Sequence, residues 1–251
     1  MGRVAPVTPL LETRALSKRF GGLEAVRGVD FRLDQGEIRA LIGPNGAGKT
    51  TLVGLICGRF RPTAGEVRFA GRDVTGLRAW ERAVLGIAYT FQVTSIYRNL
   101  SVYDNVALAA QRGRLRTPRD WIALDGDAVV ADVAAALTRV GLAALTDQRA
   151  GTLAYGHQRV LEVAMALALG PKLLILDEPT QGLAGDEIEA LCGLVRDLAG
   201  ATTILLIEHN MAVVLELAGR VTVMDQGRIL AEGTPREIEA HPGVQRAYLG
   251  R

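Results

Sequence analysis

Residues Ile38 to Leu52 constrain this chain more than any other stretch. Ile38-Arg39-Ala40-Leu41-Ile42 has the apolar composition of a buried strand, and Lys49-Thr50-Thr51-Leu52 opens a helix. Between them runs Gly43-Pro44-Asn45-Gly46-Ala47-Gly48, which completes a G-x-x-x-x-G-K-[ST] loop. Glycines at 43, 46 and 48 let the backbone take positive φ and turn its N–H groups toward an anion. The helix that follows adds unsatisfied amides and the positive end of its dipole. In such a loop Lys49 reaches β- and γ-phosphates and the Thr50 hydroxyl ligands Mg²⁺. Any fold for this chain must therefore place a strand, a tight turn and a helix in succession.

The flanking sequence supplies the rest of an alternating α/β order. Glu12 to Phe20, and Val29, Phe31 and Leu33, alternate as half-exposed strands, with Gly21-Gly22 and Asp34-Gln35-Gly36 as turns. Thr51 to Gly58 continues the helix. Val67 and Phe69 alternate again, and Gly86 to Tyr89 is a short strand. From Val93 to about Tyr155 the composition turns Ala- and Leu-rich with helical spacing over Val102 to Ala110 and Ala128 to Val140. A polar, Arg-bearing connector, Gln111 to Asp127, joins the two. Helix Gln158 to Leu169, strand Leu173 to Leu176, helix Asp186 to Leu198, strand Thr203 to Ile207, helix Met211 to Leu217 and strands near Val221 and Ile229 follow. That order implies a mostly parallel sheet covered by helices.

Composition excludes several classes. A formal net charge of +2 does not mark a nucleic-acid binder. No apolar run approaches the ~20 residues that cross a bilayer, so work at a membrane requires another chain to span it. Met1 to Leu10 lacks a signal-peptide pattern and reads as a loose tail. Cys57 and Cys192 lie in apolar helical patterns as small hydrophobes, outside any metal-ligand spacing. Basic residues are nearly all Arg. Lys18, Lys49 and Lys172 are the only lysines, which singles out Lys49 inside its loop.

A second nucleotide signal is Leu173-Leu174-Ile175-Leu176-Asp177-Glu178. An apolar strand ending in acids puts Asp177 at the carboxyl edge of a parallel sheet, where such folds bind ligands. There Asp177 can hold Mg²⁺ and Glu178 can take a proton from an attacking water. The third signal is Leu153-Ala154-Tyr155-Gly156-His157-Gln158-Arg159, which opens a helix shortly before that strand.

This segment resembles the LSGGQ-type signature of ABC-transporter ATPases, in its LxYGxQR variant, and the resemblance covers essentially the whole chain. It implies a P-loop, RecA-like α/β core, residues 8–92 and 156–251, with a mostly parallel sheet, an antiparallel β part and an inserted helical subdomain, 93–155. By the same resemblance Phe20 is the aromatic that stacks on adenine, Gln92 the Q-loop residue that contacts metal and attacking water, and His209 the switch histidine beside the γ-phosphate. Leu153, Ala154, Tyr155, Gly156 and His157 would cover the phosphates held by the phosphate loop of a second ATPase subunit, identical or not. Three departures stand out: Ala154 replaces the usual serine, His157 the usual glutamine, and Ala184-Gly185 the Asp-Pro that commonly follows Gly182-Leu183.

Phe20-Gly21-Gly22-Leu23, Tyr89-Thr90-Phe91-Gln92, Ile207-Glu208-His209-Asn210-Met211 and the closing Arg246-Ala247-Tyr248-Leu249-Gly250 resemble the ATPase of branched-chain amino-acid importers. The implied cofactors are ATP and Mg²⁺. The implied partners are two transmembrane permease subunits and, indirectly, an extracytoplasmic solute-binding protein, with no nucleic acid. The implied site of work is the cytoplasmic face of the cell membrane, as a peripheral subunit. ATPases that power lipid or lipopolysaccharide export share much of the pattern. A soluble nucleotide-gated clamp would carry tandem ATPase domains or a long coiled-coil insertion, which this sequence lacks.

Overall fold

The computed structural model describes residues 9–90, 95–114, 120 and 125–249. The chain divides into two compact units, 1–82 with 199–251, and 83–198. The second reaches beyond the helical segment 93–155 to take in the strands and helices on either side of it.

In the first unit β1 (Leu11–Phe20) and β2 (Leu23–Leu33) pair antiparallel, and β4 (Ala64–Phe69) and β5 (Arg72–Asp73) extend them into a sheet of order β2-β1-β4-β5. Its register slips between Thr13 and Leu16, where Ala15 takes φ +45°. Thr13 mends the slip from inside: its buried hydroxyl donates to the Val29 carbonyl and accepts from the Phe31 N–H. The slips also break the alternation, so β2 begins six residues before the Val29 at which the apolar pattern becomes regular.

β3 (Ile38–Ile42) lies between β8 (Thr203–Ile207) and β9 (Arg220–Asp225), parallel to both, and β10 (Arg228–Gly233) closes the edge antiparallel to β9. A central parallel strand is covered on both faces, which is why Ala40, Leu41 and Ile42 are all fully buried. Arg39 is the exception in composition, not in burial. It is 3% exposed, with Nε 2.6 Å from Glu37 and Nη1 3.0 Å from Glu232. Over one face pack α7 (Met211–Leu217), α8 (Pro235–Glu239) and α9 (Pro242–Leu249), through Val214, Ile238 and Val244 against Ile42 and Val223. Neither α8 nor α9 is marked by long apolar periodicity, although Thr234, Pro235 and Glu237 form a capping box with proline at the first helical position.

In the second unit β6 (Ile87–Thr90) runs parallel to β7 (Leu173–Asp177). Helices α3 (Val102–Arg114), α4 (Gly126–Arg139) and α5 (Tyr155–Ala168) enclose a core of Val106, Val133, Leu137, Leu161 and Ala164 among others, and α6 (Gly185–Leu198) follows β7. α3 runs four residues past the expected Ala110, into the arginine-bearing stretch, where Arg114 meets Asp132 of α4 at 2.7 Å.

Candidate functional site

The first unit carries the phosphate loop between β3 and α1 (Lys49–Ile56). At two of its glycines the loop tolerates no side chain. Gly43 takes φ +148° and a Cβ there would overlap the Met224 carbonyl; Gly48 takes φ +102° and a Cβ would overlap the Ala25 carbonyl. The loop is held between β2 and the β9–β10 hairpin. Gly227 donates to Ala47 (2.9 Å), and Arg27 donates to Gly227 (2.8 Å). Lys49 folds across the mouth with Nζ 2.6 Å from the Gly43 carbonyl and 3.2 Å from that of Pro44. Asn45, Gly46 and Thr50 are exposed, Thr51 half-buried and Ala47 buried. No acidic residue lies in the first turn of α1, so its dipole faces the loop unopposed.

The other end of α1 has a partner that sequence reading misses. Arg82, on α2 (Ala79–Leu85), is 1% exposed and donates from Nη1 to the carbonyls of Leu55 (2.6 Å) and Ile56 (2.8 Å). It also donates from Nη2 to Thr75 and from Nε to Leu77. A cation thus sits at the negative pole of the phosphate-loop helix. Burial pushes its pKa down, and Cys57 and Asp73 oppose that.

Phe20 is 42% exposed, edge-on to Phe60 with centroids 5.4 Å apart, and the Lys18 ammonium lies 5.0 Å from its ring centre. An open ring held from one side suits stacking. Past β8, buried Glu208 accepts from the N–H groups of His209 (3.1 Å) and Asn210 (3.3 Å), and Asn210 caps α7, leaving His209 exposed. Tyr248 of α9 is 40% exposed, but its hydroxyl end meets the Gly43 N–H; burial raises its pKa and that amide lowers it.

The second unit carries the acids and the signature. Asp177, 4% exposed at the end of β7, accepts from the Tyr89 hydroxyl at 2.6 Å. Glu178 is half-buried with φ +47°, a left-handed conformation rare in a residue with a side chain. Its carbonyl accepts from Arg159 Nη2 (2.8 Å) and from the Gln181 N–H (3.1 Å). In the signature, Ala154, Tyr155 and His157 face outward while Leu153, Gly156, Gln158 and Arg159 are buried. Gln158 Nε2 donates to the Leu153 carbonyl at 2.9 Å and fixes the turn. Ala154 is the N-cap of α5 and offers no side-chain cap. The Thr152 hydroxyl donates to the Arg149 carbonyl at 2.8 Å. A Cβ on Gly156 would overlap the Glu187 carboxylate, whose Oε2 accepts from the Ala184 N–H at 2.9 Å. Tyr155 lies against Gly182, where a Cβ would come within 3.1 Å of the ring. Gln92 lies outside the described residues.

Among the described residues no cluster of three or more His, Cys, Asp or Glu can hold a metal unaided. The oxygen donors of Thr50 and Asp177 are the hard kind Mg²⁺ takes, and Mg²⁺ ordinarily completes its shell with nucleotide phosphates and water.

Amides gathered by a turn this tight, at the head of a helix and beside a lysine, place the chain among phosphate-loop nucleotide-binding proteins. Comparison with known proteins narrows that class. The ABC transporter pattern matches residues 26–181, and the branched-chain amino acid ATP-binding cassette transporter pattern matches 228–251. The chain is similar to the high-affinity branched-chain amino acid transport ATP-binding protein LivG of Salmonella typhimurium, 41% identical over 96% of this chain and 98% of that one. It is 34% identical to the lipopolysaccharide export system ATP-binding protein LptB of Acidithiobacillus ferridurans, over 97% and 98%. Among solved structures it matches the ADP conformation of MJ1267, an ATP-binding cassette of an ABC transporter, with TM-score 0.86, 29% identity and coverage of 97% and 100%. The chain belongs to the ABC transporter ATP-binding family and is an ATPase subunit of that kind.

Proposed function

We propose that this ATPase powers import of branched-chain amino acids through separate permease subunits, on the cytoplasmic face of the membrane. The observation that carries the reading is the branched-chain pattern over 228–251, in a chain similar to LivG along nearly its whole length. Among the described residues no helix is long and apolar enough to cross a membrane, which agrees with a peripheral subunit.

In this reading Phe20 stacks on adenine and the N–H groups of the loop and helix start, residues 45–51, cradle the phosphates. Lys49 leaves the Gly43 and Pro44 carbonyls for the β- and γ-phosphates. Thr50, Asp177 and Gln92 would hold Mg²⁺, which would supply positive charge to the phosphates. Glu178 orients the attacking water and accepts its proton, and His209 senses the γ-phosphate. In-line displacement asks for positioning and charge stabilisation more than for covalent chemistry, and these residues supply both. The segment Leu153 to His157 of one subunit covers the phosphates bound by another. Residues 8–92 and 156–251 form the nucleotide core, and 93–155 the helical part that meets the permeases.

The test is solute-stimulated hydrolysis after co-purification with the membrane subunits and reconstitution in vesicles with the binding protein. Leucine, isoleucine or valine should raise ATP turnover. Stimulation by none of them refutes the substrate assignment. The likeness to LptB supports export as a second reading, and turnover that responds to a lipid substrate instead would favour it.

A further inference from the structure

The helical unit contains a cleft lined by Tyr89, Ser95, Ile96, Tyr97, Glu162 and Met165, among others. One of its walls is chemically unlike the rest. Glu162 is 6% exposed, and it divides its two oxygens: Oε1 accepts from the Ser95 N–H at 2.5 Å and Oε2 from Arg159 Nη1 at 2.8 Å. Arg159 is itself 3% exposed and passes the connection on, from Nη2 to the Glu178 carbonyl. An unbroken line of charge-assisted hydrogen bonds therefore runs from the cleft to the residue that aims at water.

We infer that Arg159 and Glu162 are positioning residues for hydrolysis, holding the Glu178 backbone in its left-handed conformation and making it respond to what fills the cleft. Both halves rest on the reading above, in which Glu178 orients the attacking water and a membrane subunit docks on the helical part. A left-handed glutamate persists only where its surroundings over-determine it. Here two donors, the Gln181 N–H and Arg159, grip the carbonyl of that residue. A buried ion pair is weak evidence for stability, because desolvation offsets much of the attraction. Arg159 and Glu162 lie one turn apart on α5, so they need each other little to form the helix. What they add is a fixed distance between Ser95 and Glu178. Burial raises the Glu162 pKa, and the Ser95 N–H and Arg159 lower it.

The test uses the full chain alone with ATP, so its outcome is separate from that of solute stimulation. Glu162→Gln replaces one acceptor oxygen by an NH₂ group that must face a donor, either Ser95 or Arg159. Its kcat should fall about tenfold or more, as expected for the loss of one charge-assisted bond. Nucleotide Kd should stay within about twofold, since neither residue touches the phosphate loop. Arg159→Lys, which keeps the charge but loses the fork, should fall in the same direction. A second arm fills the cleft. Tyr97, 58% exposed, is replaced by Cys and coupled to a bulky maleimide, with Cys57 and Cys192 both buried. Relative to unlabelled Tyr97→Cys, the label should change kcat in the Glu162 chain and leave it unchanged in the Glu162→Gln chain, a double-mutant cycle for the coupling. Should Glu162→Gln fail to fold, Arg159→Lys takes its place in the cycle. Unchanged kcat in both variants, or a Kd that weakens in step with kcat, overturns the positioning role. A label effect of equal size in parent and variant overturns the coupling.

Discussion

Replacing Arg82 by Met would test whether the phosphate-loop helix depends on a cation at its far end. The methionine keeps much of the stem volume and removes every donor. Arg82 satisfies four carbonyls, those of Leu55, Ile56, Thr75 and Leu77, at 2.6 to 3.2 Å. α1 has no basic residue in its own last turn to replace it. Orphaning a buried carbonyl costs about 1–3 kcal/mol; the Leu55 carbonyl still accepts from the Gly58 N–H at 3.3 Å, and the three others together come to about 3–9 kcal/mol. Part of that is recovered, because the same burial that lowers the Arg82 pKa is a desolvation cost that disappears with the guanidinium. The lower end, about 3 kcal/mol, is therefore expected. At about 2–4 °C per kcal/mol for a chain of this size, Tm should drop by about 6–12 °C. Gly58 offers no room for compensation: at φ +77° a Cβ there would stand 2.9 Å from Arg82 Nε and 3.0 Å from the Leu77 carbonyl. Thermal melts by circular dichroism without nucleotide measure the drop, and Arg82→Lys, with the charge but not the fork, should recover less than half. A methionine variant melting within about 2 °C of the parent would refute the argument, since it would mean these carbonyls find water or other N–H donors at no cost.

Lys49→Ala should weaken binding of a fluorescent ATP analogue by at least tenfold, as a lost charged contact of about 1.5–3 kcal/mol requires; unchanged affinity would remove Lys49 from the phosphate site. Glu178→Gln should bind ATP at parental strength, lose most of its turnover and accumulate a dimer in ATP and Mg²⁺ by size exclusion. Turnover at the parental rate would exclude Glu178 as the base. Ala154→Ser supplies the side-chain cap that α5 lacks and should raise stability without nucleotide by about 1 kcal/mol. If its hydroxyl turns to the phosphate of a second subunit instead, the Glu178→Gln dimer should tighten about ten- to a hundredfold in sedimentation, and a dimer constant that does not move would show that the alanine costs nothing there.

Local chemistry in this molecule was readable and distant chemistry was not. The strand-loop-helix at 38–56, the apolar β7 with its terminal acids and the signature turn announce themselves because each is a contiguous run whose residue types answer one local demand. Arg82 and Arg159 carry no such mark. Arg82 sits amid other arginines and acquires its role only because the fold returns α2 to carbonyls 26 and 27 residues earlier. Arg159 falls inside the signature yet acts on residue 178, nineteen positions on. Asp177 is legible from its place at a strand end, but its Tyr89 partner lies 88 residues away on a neighbouring strand. α2 is not legible in the sequence because its seven residues carry little apolar periodicity and its one buried residue is that arginine. Helix α9 likewise shows its purpose only when Val244 joins the buried cluster that holds Ile42.

The grip on the phosphate loop has a consequence for how this sequence can drift. Backbone atoms at Ala25 and Met224 crowd Gly48 and Gly43, and the Gly227 N–H bonds the Ala47 carbonyl, so much of the grip is backbone on backbone. Gln226 and Gly227, both at positive φ, form the two-residue turn that joins Asp225 to Arg228. The hairpin therefore behaves as a spacer gauge: most of its letters are free to change while its count of residues is not. One inserted residue would shift the 224 and 227 carbonyls and amides off the loop and loosen the nucleotide pocket without altering any residue of the phosphate-binding motif.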